Sequence, residues 1–400
     1  MKWASAASDN PSLDEALDKC VASLKEQLGI GEVDLAVVFV SAHHGQGYDE
    51  IPRLLQQRLK VKNLVGCSAG GVIGGGHEIE QRPGLSVTAA VLPNVEMAPF
   101  HINEESLPDL DASPDKWHTA ARTSPEKKPQ FLLLTDPFSI RSENLILGLD
   151  YAFDGAVKIG GMASGGRQQG GNALFLGDKV YHDGAVGVAF HGDVVIDPIV
   201  AQGCRPVGKP MRITKAQNNI LLELDGRPTL EALQNVYKGL SERDQQLARH
   251  SLFLGICMDE FKDEPKQGDF LIRNIVGMEP KLGALAIGEM LREGQIVQFH
   301  LRDAHTSAED LSQLLRRYTE GGGAAQATGA LLFSCLGRGM YLYGRPDHDT
   351  DLFRGAVGNV PLGGFFCNGE IGPVGGVTYL HGYTSSFGIF RPRKGEKGKG

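Results

Sequence analysis

Long apolar runs are missing from this chain. Nowhere do about 18 apolar residues follow one another, the length a membrane-spanning helix needs, and the opening stretch from Met1 to Asn10 lacks the apolar core of a secretion signal. No Cys-x-x-Cys pair occurs. The six cysteines, at 20, 67, 204, 257, 335 and 367, lie far apart, so neither a structural zinc site nor a disulfide framework is expected. His-x-x-x-His and His-Glu-x-x-His spacings are absent as well, and no metal, haem or other cofactor is expected. Basic charge is not in excess: 40 Lys and Arg stand against 48 Asp and Glu, for a net charge of −8. Such a balance gives no electrostatic reason to expect nucleic acid. These absences describe a soluble, cytoplasmic protein with reduced thiols and no membrane insertion.

What is plentiful is glycine, at 53 of 400 residues, about twice the usual share. The glycines are not scattered. Ser12 and Glu15 open a capped helix whose inward stripe runs through Leu13, Leu17, Cys20, Leu24 and Leu28, with Gly29 as its stop. Asp34 to Val40 is a continuous apolar run, as in a strand buried on both faces. A helical stripe follows (Ile51, Leu54, Leu55, Leu59), then a short strand over 61–65 that enters Gly66-Cys67-Ser68-Ala69-Gly70-Gly71, read as a loop. Strand, helix, strand with short connections is a βαβ unit.

The same order recurs with Phe131–Leu134, a helix around Leu145 to Leu149, Val157–Ile159 and Gly160-Gly161-Met162-Ala163-Ser164-Gly165-Gly166. A third copy runs from Ala330–Phe333 to Gly363-Gly364-Phe365-Phe366-Cys367-Asn368-Gly369. Each copy is followed by another β-like run, at 85–92, 185–190 and 385–390. Such recurrence predicts an α/β protein of two related domains, with mixed sheets covered by helices in an α/β/β/α layering. A helix over 1–31 precedes a domain of 32–225. The turn at Asp225-Gly226-Arg227-Pro228 marks a boundary to a second domain of 226–385, and a last strand and basic, disordered tail take up 386–400. The polar stretch from Ser113 to Pro129 reads as an exposed loop.

Gly66-Cys67-Ser68-Ala69-Gly70 matches the Gly-x-Ser-x-Gly pattern of serine hydrolases, and His182-Asp183 downstream invites a dyad. That pattern needs a helix directly after the serine. Val72-Ile73-Gly74-Gly75-Gly76 follows instead, and glycine costs about 1 kcal/mol per helical position relative to alanine. A hydrolase using Ser68 or Cys67 is therefore the secondary reading, and a non-catalytic assembly or scaffold protein the third.

Leu64-Val65-Gly66-Cys67-Ser68-Ala69-Gly70-Gly71, with Pro83-Gly84-Leu85-Ser86-Val87, resembles the FIST N domain. Ser334-Cys335-Leu336-Gly337-Arg338-Gly339 and Gly364-Phe365-Phe366-Cys367-Asn368-Gly369-Glu370-Ile371-Gly372-Pro373 resemble the FIST C domain. The resemblance implies a sensory module for a small ligand, with amino acids among the candidates, signalling through a separate protein partner or through self-association as a homo-oligomer. It names no catalytic residues. The expected site gathers turns from both domains. Cys67, Ser68, Ala69 and Ser164 present backbone amides and hydroxyls, Arg338 holds a carboxylate, and Cys367, Asn368 and Glu370 receive an amine or hydroxyl.

Overall fold

In the computed structural model, which describes residues 1–29, 32–259, 261–262 and 264–393, three stretches of the chain fold as the same string of elements. The first runs β1 (Lys2–Ser8), α1 (Leu13–Leu28), β2 (Glu32–Ser41), α2 (Ile51–Arg58) and β3 (Lys60–Ala69). It closes with a hairpin of β4 (Gly71–Gly74) and β5 (His77–Glu80) and a return strand, β6 (Leu85–Val91). The second repeats it as β7 (Val95–Ile102), α3 (Pro114–Ala120), β8 (Gln130–Thr135), α4 (Ser142–Ala152), β9 (Lys158–Met162), the hairpin β10 (Leu174–Leu176) and β11 (Lys179–Tyr181), and β12 (Ala185–Gly192).

The third stretch opens with β13 (Val195–Ala201), and a second compact unit then interrupts it. The interruption holds β14 (Cys204–Gln217), β15 (Ile220–Leu224), β16 (Arg227–Pro228), α5 (Thr229–Lys238), α6 (Glu242–Ala248), β17 (Leu252–Cys257), β18 (Phe270–Glu279), β19 (Ala284–Ile287) and β20 (Ile296–Arg302). The repeat resumes with α7 (Ala304–Glu320), β21 (Gly329–Cys335), the short α8 (Met340–Tyr343), α9 (His348–Val357), β22 (Leu362–Cys367), the hairpin β23 (Glu370–Val374) and β24 (Val377–His381), and β25 (Ser385–Arg391).

Local sequence explains the helices. Ser12 caps α1 by accepting the Glu15 N–H, Gly29 ends it at φ +71°, and Ala16, Leu17, Cys20, Val21, Leu24 and Leu28 form its buried stripe. Within each repeat the central strands are parallel, β2 with β3, β8 with β9 and β21 with β22, and the return strand joins antiparallel.

The hairpins are exchanged in a ring. β10–β11 of the second repeat completes the first sheet (β1-β6-β2-β3-β10-β11), and β23–β24 of the third completes the second (β24-β23-β9-β8-β12-β7). The hairpin β4–β5 of the first completes the third (β13-β25-β21-β22-β4-β5). The inner faces of all three sheets meet in one apolar core that includes Phe39, Cys67, Leu134, Ile159, Phe333 and Phe365. Phe39 stacks on Phe365 with ring centroids 4.6 Å apart. Helices cover the outer faces. α1 and α2 pack on the first sheet, and α3 and α4 on the second, where Trp117 is fully buried.

Two compact units result. One comprises Met1–Val200, Ser312–Leu380 and the residues from Thr384 on; the other comprises Ala201–Leu311 and His381–Tyr383. In the second, β14, β20, β17, β18, β19 and β15 follow one another, and a β14–β15 pairing closes the ring. The architecture is α/β with several mixed sheets, as the recurrence of βαβ units predicts.

Several local expectations are corrected. Residues 2–8 form a strand, paired with β6, where only a helix was expected in the N-terminal segment. Ser113–Pro129 is not a bare loop: it contains α3, anchored by Trp117. The Asp225-Gly226-Arg227-Pro228 turn joins β15 to β16. The tail beyond residue 393 lies outside the described residues.

Candidate functional site

The glycine runs are strands rather than loops. Gly66–Ala69 belongs to β3, Gly160–Met162 to β9 and Gly363–Cys367 to β22. Gly66, Gly160 and Gly364 pair with Val38, Leu133 and Leu332 in the same register. A Cβ there would lie 1.9, 1.8 and 1.9 Å from the carbonyl oxygen of that partner, so only glycine fits. The three positions are equivalent, and the residues after them emerge at the carboxyl ends of the parallel strands, where open α/β sheets commonly place ligand sites.

There the three repeats are fastened together. Gly70 donates its N–H to Ser164 Oγ at 2.8 Å, and that hydroxyl donates onward to the Phe366 carbonyl. Ser164 N–H reaches the Ser68 carbonyl at 3.2 Å, while Asn368 N–H reaches the Met162 carbonyl at 3.1 Å. Asn368 Nδ2 donates to the Ala163 carbonyl at 3.1 Å. Ser68, Ser164, Cys367 and Asn368 are therefore gathered at one place, with Cys67 and Ala69 in the strand beneath. Amides that were expected to form an anion nest are engaged: Ser68 N–H donates to the Ala173 carbonyl at 2.8 Å.

Ser68 is fully buried. Its Oγ donates to Asn172 Oδ1 at 3.0 Å and accepts the Ala173 N–H at 3.0 Å. Asn172 Nδ2 in turn donates to Asp136 at 2.8 Å. His182, the dyad partner that the sequence invites, turns its Nδ1 to the Asn172 carbonyl at 2.8 Å. The serine proton thus faces an amide oxygen, which cannot accept it as a base would. Cys67 and Cys367 are no better prepared. Burial pushes both thiols well above their ordinary range, and for Cys367 the Glu370 carboxylate adds to the effect.

Glu370 occupies a telling position. It pairs with Gly161 as Val72 pairs with Phe365 and Leu174 with Cys67, so two repeats place an apolar side chain where the third places a carboxylate. It is fully buried. Oε2 accepts both the N–H (3.0 Å) and the hydroxyl (2.7 Å) of Thr384, and Oε1 accepts from Cys367 Sγ at 3.4 Å.

Arg338 faces elsewhere. It is fully buried and grips Asp349 with two hydrogen bonds, Nε to Oδ2 at 2.8 Å and Nη2 to Oδ1 at 3.1 Å, and it reaches the Tyr343 hydroxyl at 2.6 Å. Burial works against the guanidinium charge, but Asp349 and its neighbours hold Arg338 above its ordinary value. Asp349 is held below its own: Arg338, His348 and Ser385 outweigh burial. Nearby Glu78 is buried too, accepts from the Thr350 N–H and hydroxyl, and is pushed up to about 8, first by burial and then by Asp349. Asn172, Asp136, Thr384 and Asp349 were not singled out from sequence as site residues; the only local signals were the Gly-Gly-Asn run ending at 172 and the Asp-His-Asp run at 347–349.

A cavity of about 410 Å³ lies between α1, the β4–β5 turn and α9. Lys19, Ser23 and Gln27 line it from one face of α1, Gly75, Gly76 and His77 from the turn, and Thr350, Arg354 and Asn359 from α9 and the loop after it. Gln27 is committed to the backbone of Ser5, and Arg354 Nη2 to Asp351 at 2.6 Å. Lys19 makes no ion pair among the described residues. Gly76 sits at φ +86°, and a Cβ there would come within 3.4 Å of Arg354 Nη1. Among the described residues no His, Cys, Asp and Glu group of metal-binding geometry occurs, and no helix is long and apolar enough to cross a membrane.

Comparison with known proteins agrees with the residue pattern. Residues 34–227 match the FIST N domain and residues 229–373 the FIST C domain. An uncharacterized protein of Mycobacterium tuberculosis is 36% identical over 394 residues, covering 98% of this chain and 100% of the relative. Another, from Mycobacterium bovis, is 34% identical over 380 residues, covering 95% and 96%. An F-box/LRR-repeat protein of Arabidopsis thaliana is 27% identical over 156 residues, 37% of this chain and 28% of that protein. A cyanuric acid hydrolase from A. caulinodans aligns over 98% of this chain and 99% of its own at 9% identity, with a TM-score of 0.36. FIST domains are associated with sensory and signal-transduction roles. With both domains matched along most of its length, the chain belongs to the FIST family.

Proposed function

We propose that this FIST protein is a non-catalytic sensory module that binds a small polar metabolite carrying a carboxylate, such as an amino acid, in the cavity between α1 and α9. One observation carries the reading: a 410 Å³ cavity has cationic side chains, Lys19 and Arg354, on opposing walls and hydroxyl and amide groups between them. Its volume falls in the range of small-molecule sites, about 300–1,000 Å³, and a carboxylate between two cations forms charge-assisted hydrogen bonds. The sealed state of Ser68 and Cys67 argues against the hydrolase alternative. The fastened strand ends then serve as the frame that holds the repeats together, and output passes to a protein partner or to a second copy of the chain.

The test is a thermal-shift screen of amino acids and dicarboxylates on the full chain. One class should raise the melting temperature with dose, and Lys19→Ala and Arg354→Ala should each weaken binding about tenfold, the equivalent of one charge-assisted hydrogen bond. No shift with any compound, or a shift indifferent to both substitutions, refutes it.

A second reading places the ligand at the strand ends. It is favoured by Glu370, a carboxylate where the other two repeats are apolar, and by the exposed side chain of Asn368 beside it. Asn368→Ala separates the two readings, since it should abolish the thermal shift only if the ligand sits there.

A further inference from the structure

We infer that the second unit carries a separate binding site for a small amphipathic anion, a molecule with an apolar body and a carboxylate or sulfonate at one end. The site comes from a break in β14. This strand pairs with β20 over Cys204–Val207 and again over Met211–Arg212, and the register shift between them leaves Gly208-Lys209-Pro210 out of the ladder. Each of the three suits that break. Gly208 adopts φ +70°, and a Cβ on it would lie 2.9 Å from Val236 Cγ2 of α5. Pro210 has no N–H to give to a neighbouring strand. The Gly208 carbonyl is held by Gln298 Nε2 at 2.8 Å, which fixes the bulge. Bulges of this kind commonly mark the rims of barrels and binding sites.

Between the bulge, the β15–β16 turn and α5 lies a cavity of about 550 Å³. Its floor is apolar, formed by buried Leu224 and Ala232 with half-buried Met211 and Val236. Its mouth is cationic. Lys209 and Arg227 are exposed there, and neither makes an ion pair among the described residues. The one acidic side chain at the rim, Asp225, accepts the Arg212 N–H at 2.9 Å and is engaged with the β14 backbone. An apolar floor accepts a hydrocarbon body by removing it from water, while two unpaired cations at the opening select a negative end over a neutral or positive one. A neutral hydrocarbon would leave both cations idle, and a polar metabolite would leave the floor unfilled.

Anilinonaphthalene sulfonate, an aromatic body with one sulfonate, is the probe, titrated by fluorescence into the full-length protein. Saturable binding is expected at one site, displaced by decanoate far better than by decanol. Lys209→Glu combined with Arg227→Glu, at exposed positions that leave the fold intact, should weaken binding at least tenfold. Val236→Trp, which fills the floor, should remove it. Arg354→Ala, in the other unit, should leave it unchanged, so this site and the metabolite cavity stand or fall separately. Unsaturable binding, equal displacement by decanol, or affinity untouched by the double charge reversal each overturns the proposal.

Discussion

Gly160 and Gly364 combine two constraints: a φ of +154° and a neighbouring strand whose carbonyl would sit within 2 Å of any Cβ. Replacing either with alanine must push β9 from β8, or β22 from β21, inside a close-packed core. Gly160→Ala is therefore expected to destabilise the protein by more than about 3 kcal/mol in urea unfolding, beyond the usual range for a single substitution, whereas Gly155→Ala, at an open position, tests the φ penalty alone. Glu78 makes a different prediction. Its carboxyl is pushed up to about 8 from an ordinary 4.5, so the native state keeps a proton that the unfolded chain releases. The stability it contributes is complete below pH 4.5 and is lost as pH rises through 8. Glu78→Gln, which cannot ionise, should flatten that decline and leave the variant about 1 kcal/mol or more above wild type at pH 9. Urea unfolding of both proteins at pH 5, 7 and 9 reads the difference, and parallel profiles refute the assignment. His300, held down to about 4 by burial, acts in the opposite sense as pH falls from 6.5, which is why the wild-type and variant difference is the quantity to follow.

At the scale of elements, the exchanged hairpins and the buried ion pair perform related tasks. β4–β5 leaves its own repeat to finish the third sheet, and Glu78 and Glu80 at its end meet the segment that carries Arg338 and α9. Glu80 accepts the Met340 N–H at 2.8 Å, and Asp347 accepts the Glu78 N–H at 2.6 Å. Arg338 links the end of β21 to α9 through Asp349, and Ser385 at the head of β25 donates to the same carboxylate. Removing one member of a buried pair leaves the other as an uncompensated charge. Arg338→Ala is expected to cost about 3–5 kcal/mol, while Arg338→Met with Asp349→Leu, which removes both charges, should recover most of it. Denaturant midpoints of the single and double variants decide this; a single variant as stable as wild type would show that the pair does not hold α9.

For the whole molecule, the notable feature is where the second unit enters and leaves. Cys204 pairs with Arg302, and Ser307 Oγ donates to the Gly203 carbonyl at 2.6 Å, so the two ends of the interruption lie side by side. The first unit has its own apolar core, drawn from residues 3–196 and 331–390. A short flexible linker in place of residues 204–302 should therefore leave a chain that melts cooperatively, its transition lowered by no more than about 8 °C, the upper end of the shift that roughly 2 kcal/mol produces in a domain of about 150–250 residues. A broad, non-cooperative far-ultraviolet melt would show instead that the first unit depends on the second for its fold.

Much of this protein was legible along the chain. The apolar runs of β2, β8 and β21, the capped stripe of α1 and the repeated glycine of each second parallel strand are local signals, because helices and buried strands satisfy their backbones within a few residues or with the nearest neighbour. That glycines rather than a helix follow the Gly-x-Ser-x-Gly match at 66–70 was equally readable. The partners of buried polar groups were not. Ser164 bonds to Phe366 across 202 positions, Glu78 to Thr350 across 272, and Arg338 selects Asp349 rather than Glu370. Glycine composition alone suggested loops where close strand contact produced β structure. Which hairpin completes which sheet, and which polar atoms face a cavity, is decided only when three distant repeats pack together, since desolvation leaves each buried group bound to whatever the assembled core brings within reach.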